Sequence, residues 1–403
     1  MSNISDAPME QTKYVKGFKY ELDPTKEQSI ALNKIFGCTR KVYNEILGIV
    51  NAESQLFKAG LSDVKPDVST SALVNLSTTL KRHPHLHFLN DISSIAIQQK
   101  AIDQATAFTN YAKHRANHPR FKRKGYDDSF RIVGEGSIHV SKEQGITVPR
   151  TTCGPIKILW SRDLPSAPSS YTITRTPTGR HFISFICEYI PDRKSGTNQT
   201  GIDLGIKDIA VTSDGDIIPN PRWYQLGQKK LRKLQRRLAR KIKGSKNYHE
   251  ARIRLAKWHS YISNKYRDYL HKLTSALVRD NQAISIEDLN VSGMVKNRHL
   301  SKNLIQSRFG LFRTLLMYKV LESTDTYLII ANRWYPSTQI CSHCGTKSAT
   351  RINLAMRTWQ CGTCGAQHHR DINAAINLKS LIPKALSYRV PGKRIILTNA
   401  LDQ

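Results

Sequence analysis

Residues 13–22, Lys-Tyr-Val-Lys-Gly-Phe-Lys-Tyr-Glu-Leu, alternate polar and apolar positions as a half-buried strand does. Asp23-Pro24-Thr25 follows, with Thr25 placed to cap a helix and Gln28 at the capping-box position. Ile30, Leu32, Ile35, Val42, Ile46 and Val50 then recur at helical spacing, which predicts a helix interrupted near Gly37. Helical patterning continues over 51–117, with a polar joint at 60–71. His83-Pro-His-Leu-His87 has no regular ligand spacing and reads as a loop between helices. From 129 to 190 the pattern changes to short apolar runs at 138–140, 146–148, 156–160, 171–175 and 181–190, separated by Gly, Pro and Ser. Strands at this spacing predict a small barrel, with 13–22 as a member and the helical residues 25–125 inserted into it.

Residues 191–200 are polar and turn-rich, a linker by composition. Gly201-Ile-Asp-Leu-Gly-Ile-Lys-Asp208 and the residues to Asp216 read as a three-strand meander. Two apolar stripes follow. Leu231, Leu234, Leu238 and Ile242 form one, and Leu255, Trp258, Ile262, Tyr266, Tyr269, Leu273 and Leu277 the other. They predict two long helices in a hairpin. A strand at 283–289, a helix at about 302–323, a strand at 327–333 and a helix at 372–381 complete the pattern; the tail from 382 carries no strong signal. A meander followed by helix, strand, helix, strand, helix is the order of the ribonuclease H-like fold.

The net charge is +31 over 403 residues. Such a field favours a polyanionic partner, and nucleic acid fits it best. Lys229, Lys230, Arg232, Lys233, Arg236, Arg237 and Arg240 crowd one helix, where like charges repel unless an anion neutralises them. His118-Pro-Arg120-Phe121-Lys122-Arg123-Lys124-Gly125 is a basic turn with one aromatic, either a phosphate contact or a solvated loop. No apolar run approaches the ~20 residues of a membrane-spanning helix, and Met1 to Gln11 resembles no secretory signal. A cytoplasmic, nucleoid-associated protein is expected.

Cys341-Ser-His-Cys344-Gly is answered by Cys361-Gly-Thr-Cys364-Gly, two identical knuckles. That spacing predicts a zinc ribbon, in which four thiolates leave no open coordination position and the ion is structural. Cys38, Cys153 and Cys187 remain, and are expected to be reduced and buried. Catalysis must then lie elsewhere. In the ribonuclease H-like order the first and fourth strands are neighbours, so Asp203 and Glu287 fall side by side, and the last helix brings in Asp371. Close carboxylates repel, and Mg²⁺ ions offset that charge. Taken singly, Asp203 also reads as a turn residue, Glu287 as a strand-end acid no better than Asp288, and Asp371 as a helix cap.

The segments 201–208, 286–290, 334–345 and 369–377, in this order, resemble transposon-encoded TnpB proteins, RNA-guided nucleases related to the ancestors of type V CRISPR effectors. Residues 13–46 and 119–124 resemble that family's first strand and helix and its basic loop. The resemblance implies a multidomain α+β fold. A wedge barrel (1–24 and 126–192) carries a helical recognition insertion (25–125). A RuvC nuclease domain (193–333) includes a basic hairpin (223–280). A zinc ribbon (334–368), a last RuvC helix (369–383) and a flexible tail (384–403) follow.

It also implies Asp203, Glu287 and Asp371 as the RuvC acids, holding two Mg²⁺, and Cys341, Cys344, Cys361 and Cys364 as the ligands of one Zn²⁺. Arg40, Tyr43 and Asn44 fall in its nucleic-acid-binding segment. Ser94 and Gln98 match its motif-reading helix, where glutamine can contact adenine or simply be solvated. The implied activity is Mg²⁺-dependent cutting of double-stranded DNA beside a short target-adjacent motif, by one chain bound to a guide RNA from the transposon end. The competing readings are a nuclease-inactive guided repressor and an RNA-independent strand-transfer transposase.

Overall fold

The computed structural model describes residues 13–398, apart from 127, 192–193, 297–300, 302–303, 305, 351, 353–355 and 391. The expected polar start, part of the linker, the first residues of the helix expected at 302–323 and the last five residues lie outside these. Two compact units make up the chain: Met1–Ile190 with Arg252–Ala256, and Pro191–Ala251 with Lys257–Gln403. Among the described residues, no helix is long and apolar enough to cross a membrane.

In the first unit, β1 (Tyr14–Asp23) is followed by helices α1 (Lys26–Lys58), α2 (Thr70–Arg82) and α3 (Ser94–Ala112). Thr25 and Gln28 close the expected capping box: the Gln28 N–H donates to Thr25 Oγ1 and the Thr25 N–H to Gln28 Oε1. The expected break at Gly37 does not occur; α1 runs through it. A helical glycine costs about 1 kcal/mol, and the buried stripe of Leu32, Ile35, Phe36, Val42 and Ile46 outweighs it. Residues 84–87 open the 3₁₀ helix Pro84–Asp91, with His83 extended before it. Strands β2 (Ser129–Val133), β3 (His139–Ser141), β4 (Gly145–Thr147), β5 (Lys157–Leu159), β6 (Ser170–Arg175) and β7 (His181–Tyr189) follow. The main sheet has the order β2-β6-β7-β1-β5. Its edge strands β2 and β5 are not paired with each other among the described residues. Phe18, Tyr20, Phe130, Tyr171 and Phe185 from the sheet and Leu32, Phe36, Val42, Leu89 and Ile97 from the helices share one core. Cys38 and Cys187 are buried and Cys153 is half-buried, all unpaired.

The second unit is built on a six-stranded sheet. Strands β8 (Asn198–Asp203), β9 (Asp208–Thr212) and β10 (Ile217–Pro219) form the meander, antiparallel throughout. The helices α4 (Trp223–Leu226), α5 (Gln228–Ala239) and α6 (Lys246–Asp280) lead to β11 (Asn281–Ile286), which pairs parallel with β8. The short helix α7 (Val291–Met294), then α8 (Phe309–Leu321), precede β12 (Tyr327–Ile330), parallel to β11. The register sets Ile202 beside Ile286 and Ile286 beside Ile330. These residues, with Ile284, Leu328, Phe312 and Leu316, form the core under the sheet.

The ribbon strands β13 (Thr358–Gln360) and β14 (Gln367–His369) run directly into α9 (Arg370–Lys379). Gly201 lets α9 lie on β8: a Cβ there would stand 2.0 Å from the Ala375 carbonyl oxygen. The tail differs from the flexible segment expected. Residues Leu381–Ser387 form a helix, α10, and Ile395–Leu397 form β15, a sixth strand parallel to β12. Ile382, Ala385 and Ile396 close a small core with Ala283 and Ile329. Three apolar residues are too few to signal a strand locally; the long-range pairing with β12 stabilises this one.

Candidate metal centres and nucleic-acid interface

The two cysteine knuckles have the same backbone. Gly345 and Gly365 sit at φ of 75° and 74°, a left-handed conformation that glycine adopts without strain. Their N–H groups donate to the Cys341 and Cys361 carbonyls, both at 2.9 Å. The four sulfurs lie within 4.8 Å of one another. The Sγ atoms of Cys341 and Cys364, and of Cys344 and Cys361, are each 3.7 Å apart. Tetrahedral zinc with Zn–S bonds of about 2.3 Å puts sulfurs about 3.8 Å apart, so the residues fit Zn²⁺. Hydrogen bonding by Thr346 lowers the Cys344 thiol to about 6. The backbone N–H groups of Cys364 and Thr363 lower Cys361. Against the Ala366 N–H, desolvation and the neighbouring thiols raise Cys364 to about 12, so two of the four sulfurs are favoured as thiolates without an ion. His368 Nε2 lies 3.0 Å from Cys341 Sγ, and its ring stands against Trp359.

Asp203 ends β8, Glu287 follows β11 by one residue, and Asp371 is the second residue of α9. All three line one cavity of about 600 Å³, together with Leu204, Arg357 and Arg370. Asp203 and Asp371 are buried and Glu287 is half-buried. Burial, and then the charges of Glu287 and Asp371, push the Asp203 carboxyl well above the usual carboxylate range. Burial also raises Glu287, while the Ser337 hydroxyl, donating at 2.5 Å, lowers it. Asp371 is satisfied by two guanidiniums: Arg357 Nη1 at 2.6 Å, and Arg370 through Nε and Nη2 at 2.9 and 2.7 Å. Carboxylate oxygens are the donors that suit a hard divalent cation. The three carboxylates are nevertheless less tightly gathered than the thiols. Among the described residues, the four cysteines alone have mutually close donor atoms. The neighbouring Asp288 does different work, accepting from Arg313 and Arg333. That separates the two acids that the sequence leaves equivalent.

Asn373 and Asn377, one helical turn apart on α9, tie the acids to the ribbon. Asn373 donates to the Ile340 carbonyl at 2.7 Å and accepts from the Ser342 N–H at 2.9 Å. Asn377 Nδ2 donates to the carbonyls of Ser337 and Ile340, at 2.8 and 2.7 Å. The first knuckle thus hangs on the helix that carries Asp371, and the loop before it holds Glu287 through Ser337. Sequence reasoning misses these two asparagines and the two arginines. The available signal is asparagine, a poor residue for a helix interior, placed twice at i,i+4.

The basic positions divide into presented and engaged ones. Lys229, Lys230, Arg232, Lys233, Arg236 and Arg237 on α5 and its C-cap Arg240 are all exposed, and no residue of that helix is buried. Six of them, with Lys241, line a groove of about 830 Å³. Lys230 also stands 4.1 Å over the Trp258 ring. In the first unit, Arg120, Phe121, Arg123 and Lys124 are exposed on their loop and Lys122 is half-buried. Arg40, Tyr43 and Asn44 instead face inward. Arg40 pairs at 2.9 Å with the buried Asp128, and Tyr43 is buried under the Lys122 ammonium. Asn44 exchanges two hydrogen bonds with the Lys122 backbone, at 3.1 and 2.8 Å. These three residues position the basic loop. Gln98 is exposed on α3, and Ser94 accepts from Lys81 at 2.8 Å.

The family described as "Probable transposase" matches residues 178–298, and the "Cas12f1-like, TNB domain" matches 309–378. A "Helix-turn-helix domain" matches 14–53, which here is a strand and one unbroken helix. A Streptomyces pristinaespiralis protein named "Putative RNA-guided DNA endonuclease" is 35% identical over 92% of this chain and 89% of its own length. The Escherichia coli protein "Putative RNA-guided DNA endonuclease InsQ" is 29% identical over 91% and 92%. "TnpB-like protein L770" of Acanthamoeba polyphaga mimivirus is 23% identical over 91% and 73%. A chain of the Cas12f1–sgRNA–target DNA complex has the same fold, with a TM-score of 0.54 at 14% identity, over 88% of this chain and 83% of that one. With a relative this similar along nearly its whole length, the chain belongs to the TnpB family.

Proposed function

We propose that the protein is an RNA-guided DNA endonuclease of a transposon. A guide RNA from the transposon end pairs with one DNA strand, and the carboxylate cavity cuts target DNA beside a short target-adjacent motif. The observation that carries this reading is the convergence of three acids on one cavity, with Asp203 pushed up by burial and then by the other two. The names of the relatives and the +31 charge support it. Base pairing supplies sequence specificity, while the protein supplies phosphate contacts and reads the motif.

Asp203, Glu287 and Asp371 are the residues that would hold a pair of Mg²⁺ ions. When bound, these ions supply activation of the attacking water and stabilisation of the leaving 3′ oxygen. Ser337 fixes the orientation of Glu287. Arg357 and Arg370 neutralise Asp371 with positive charge that it otherwise takes from an ion. The groove on α5 and the loop of Arg120–Lys124 hold the polyanion, and Gln98 is placed to read a base in the motif. Zinc in the ribbon is structural and takes no part in the chemistry.

The test is Asp203→Ala in the RNA-loaded protein. RNA and DNA binding should persist while cleavage with Mg²⁺ stops. Undiminished cutting by the variant would remove the catalytic assignment. Binding without cutting by the wild type would favour a guided repressor, and joining of transposon-end DNA after ribonuclease treatment a strand-transfer enzyme.

A further inference from the structure

Trp334 is the most exposed aromatic side chain among the described residues, at 85%. Its backbone is fixed. The Asn332 N–H donates to Thr398 Oγ1 at 2.6 Å, and the N–H groups of Trp334 and Tyr335 donate back to Asn332, both at 2.9 Å. The Tyr335 hydroxyl donates to the Asn377 carbonyl at 3.1 Å. An indole held out on a turn this well anchored gives up its apolar burial without gaining mobility, which suits a flat ligand arriving from outside.

Its location says which ligand. The Ala331 N–H donates at 2.8 Å to the carbonyl of Ile286, the residue before Glu287. Ser337 donates to the Glu287 carboxylate. Trp334 lies three residues from each, and three residues of chain reach at most about 11 Å. Its backbone therefore lies within about 11 Å of Ala331 and of Ser337, the residue that holds Glu287, at the end of β11 and β12 from which Glu287 emerges. Arg333 is the chain neighbour of Trp334, and the whole protein is strongly cationic. A polynucleotide strand whose phosphate enters the carboxylate cavity brings its bases within reach of the indole. Every base has a face to stack, so such a contact is independent of sequence. A base inside a duplex has both faces covered, so the occupant is unpaired.

We infer that Trp334 is a stacking platform for one unpaired base of the DNA strand held at the carboxylate cavity, and so a substrate-contact residue. This rests on the nuclease reading above.

The experiment compares wild type, Trp334→Ala and Trp334→Phe as RNA-loaded complexes in single-turnover cutting. Targets carry one abasic site, walked along the strand. Wild type should be slowed about tenfold by an abasic site at one position near the cut, the scale of a lost stack. Trp334→Ala should be slowed similarly on intact DNA and be indifferent to that abasic site, and Trp334→Phe should retain most of the rate. Trp334→Ala cutting intact DNA at the wild-type rate, or keeping the wild-type abasic profile, overturns the inference. A second readout does not need cutting. Oligothymidine should quench tryptophan emission of the wild type, and the part removed by Trp334→Phe should account for that quenching. Quenching unchanged in Trp334→Phe overturns the inference. Quenching without any cutting by the wild type would indict the nuclease reading instead.

Discussion

The second unit holds two clusters of acidic ligands, and they are made in opposite ways. The four thiols are gathered by local turns: two copies of one knuckle, each with a left-handed glycine whose N–H donates back to the first cysteine carbonyl. The three carboxylates come from two strands and a helix far apart in the chain, and the fold works against their charge. Asp203 is raised, and Asp371 is occupied by arginines. The first cluster is organised for its ion. The second carries a repulsion that Arg357 and Arg370 offset at Asp371 and that adds to burial in raising Asp203.

Cys341→Ser should break the comparison at its strongest point. Structural zinc contributes on the order of 10 kcal/mol in small zinc domains. The variant should retain less than one zinc per chain by mass spectrometry and lose the cooperative melting of the ribbon. Cutting should fail too, because Ile340 and Ser342 anchor Asn373 and Asn377 beside Asp371.

Asn377→Ala sharpens the link between the clusters. It leaves the Ser337 carbonyl without its donor, at about 1–3 kcal/mol for a buried unsatisfied group, while the Ile340 carbonyl keeps Asn373. Calorimetry should show that loss, with faster zinc release to a chelator and slower cutting, while guide RNA binding holds.

Asp203→Asn probes the carboxylates alone, with a smaller effect. A carboxyl raised in the folded state contributes stability that is fully present below its unfolded value, near pH 4, and is lost as pH rises through the raised one. Asparagine stays neutral. In protein free of divalent ions other than zinc, the variant should be more stable than wild type at about pH 8. That advantage should vanish toward pH 4.

Much of this was legible in the chain, where the cause is local. The repeated knuckle is one such case, and the Thr25–Gln28 cap another. The adjacency of Asp203 and Glu287 follows from element order, since a fourth strand returning beside the first leaves little choice. The illegible parts depend on distant packing. Gly37 is a breaker by propensity, yet the buried stripe on both sides keeps α1 whole. Ile395–Leu397 has strand character only beside β12. Arg40, Tyr43 and Asn44 fall in a segment that resembles the family's nucleic-acid-binding one, and their engagement by Asp128 and Lys122 depends on distant packing. Asn373 and Asn377 gain meaning only once Ile340 is seen across from them.

The most direct test of the central claim is the melting temperature of the zinc-loaded chain, without RNA, at about pH 8, measured with and without Mn²⁺ as the probe ion. Mn²⁺ should raise the melting temperature of the wild type, because a cation relieves the repulsion among Asp203, Glu287 and Asp371, and should leave Asp203→Asn nearly unmoved. An equal rise in both proteins, or none in the wild type, would contradict a divalent-ion site at these carboxylates.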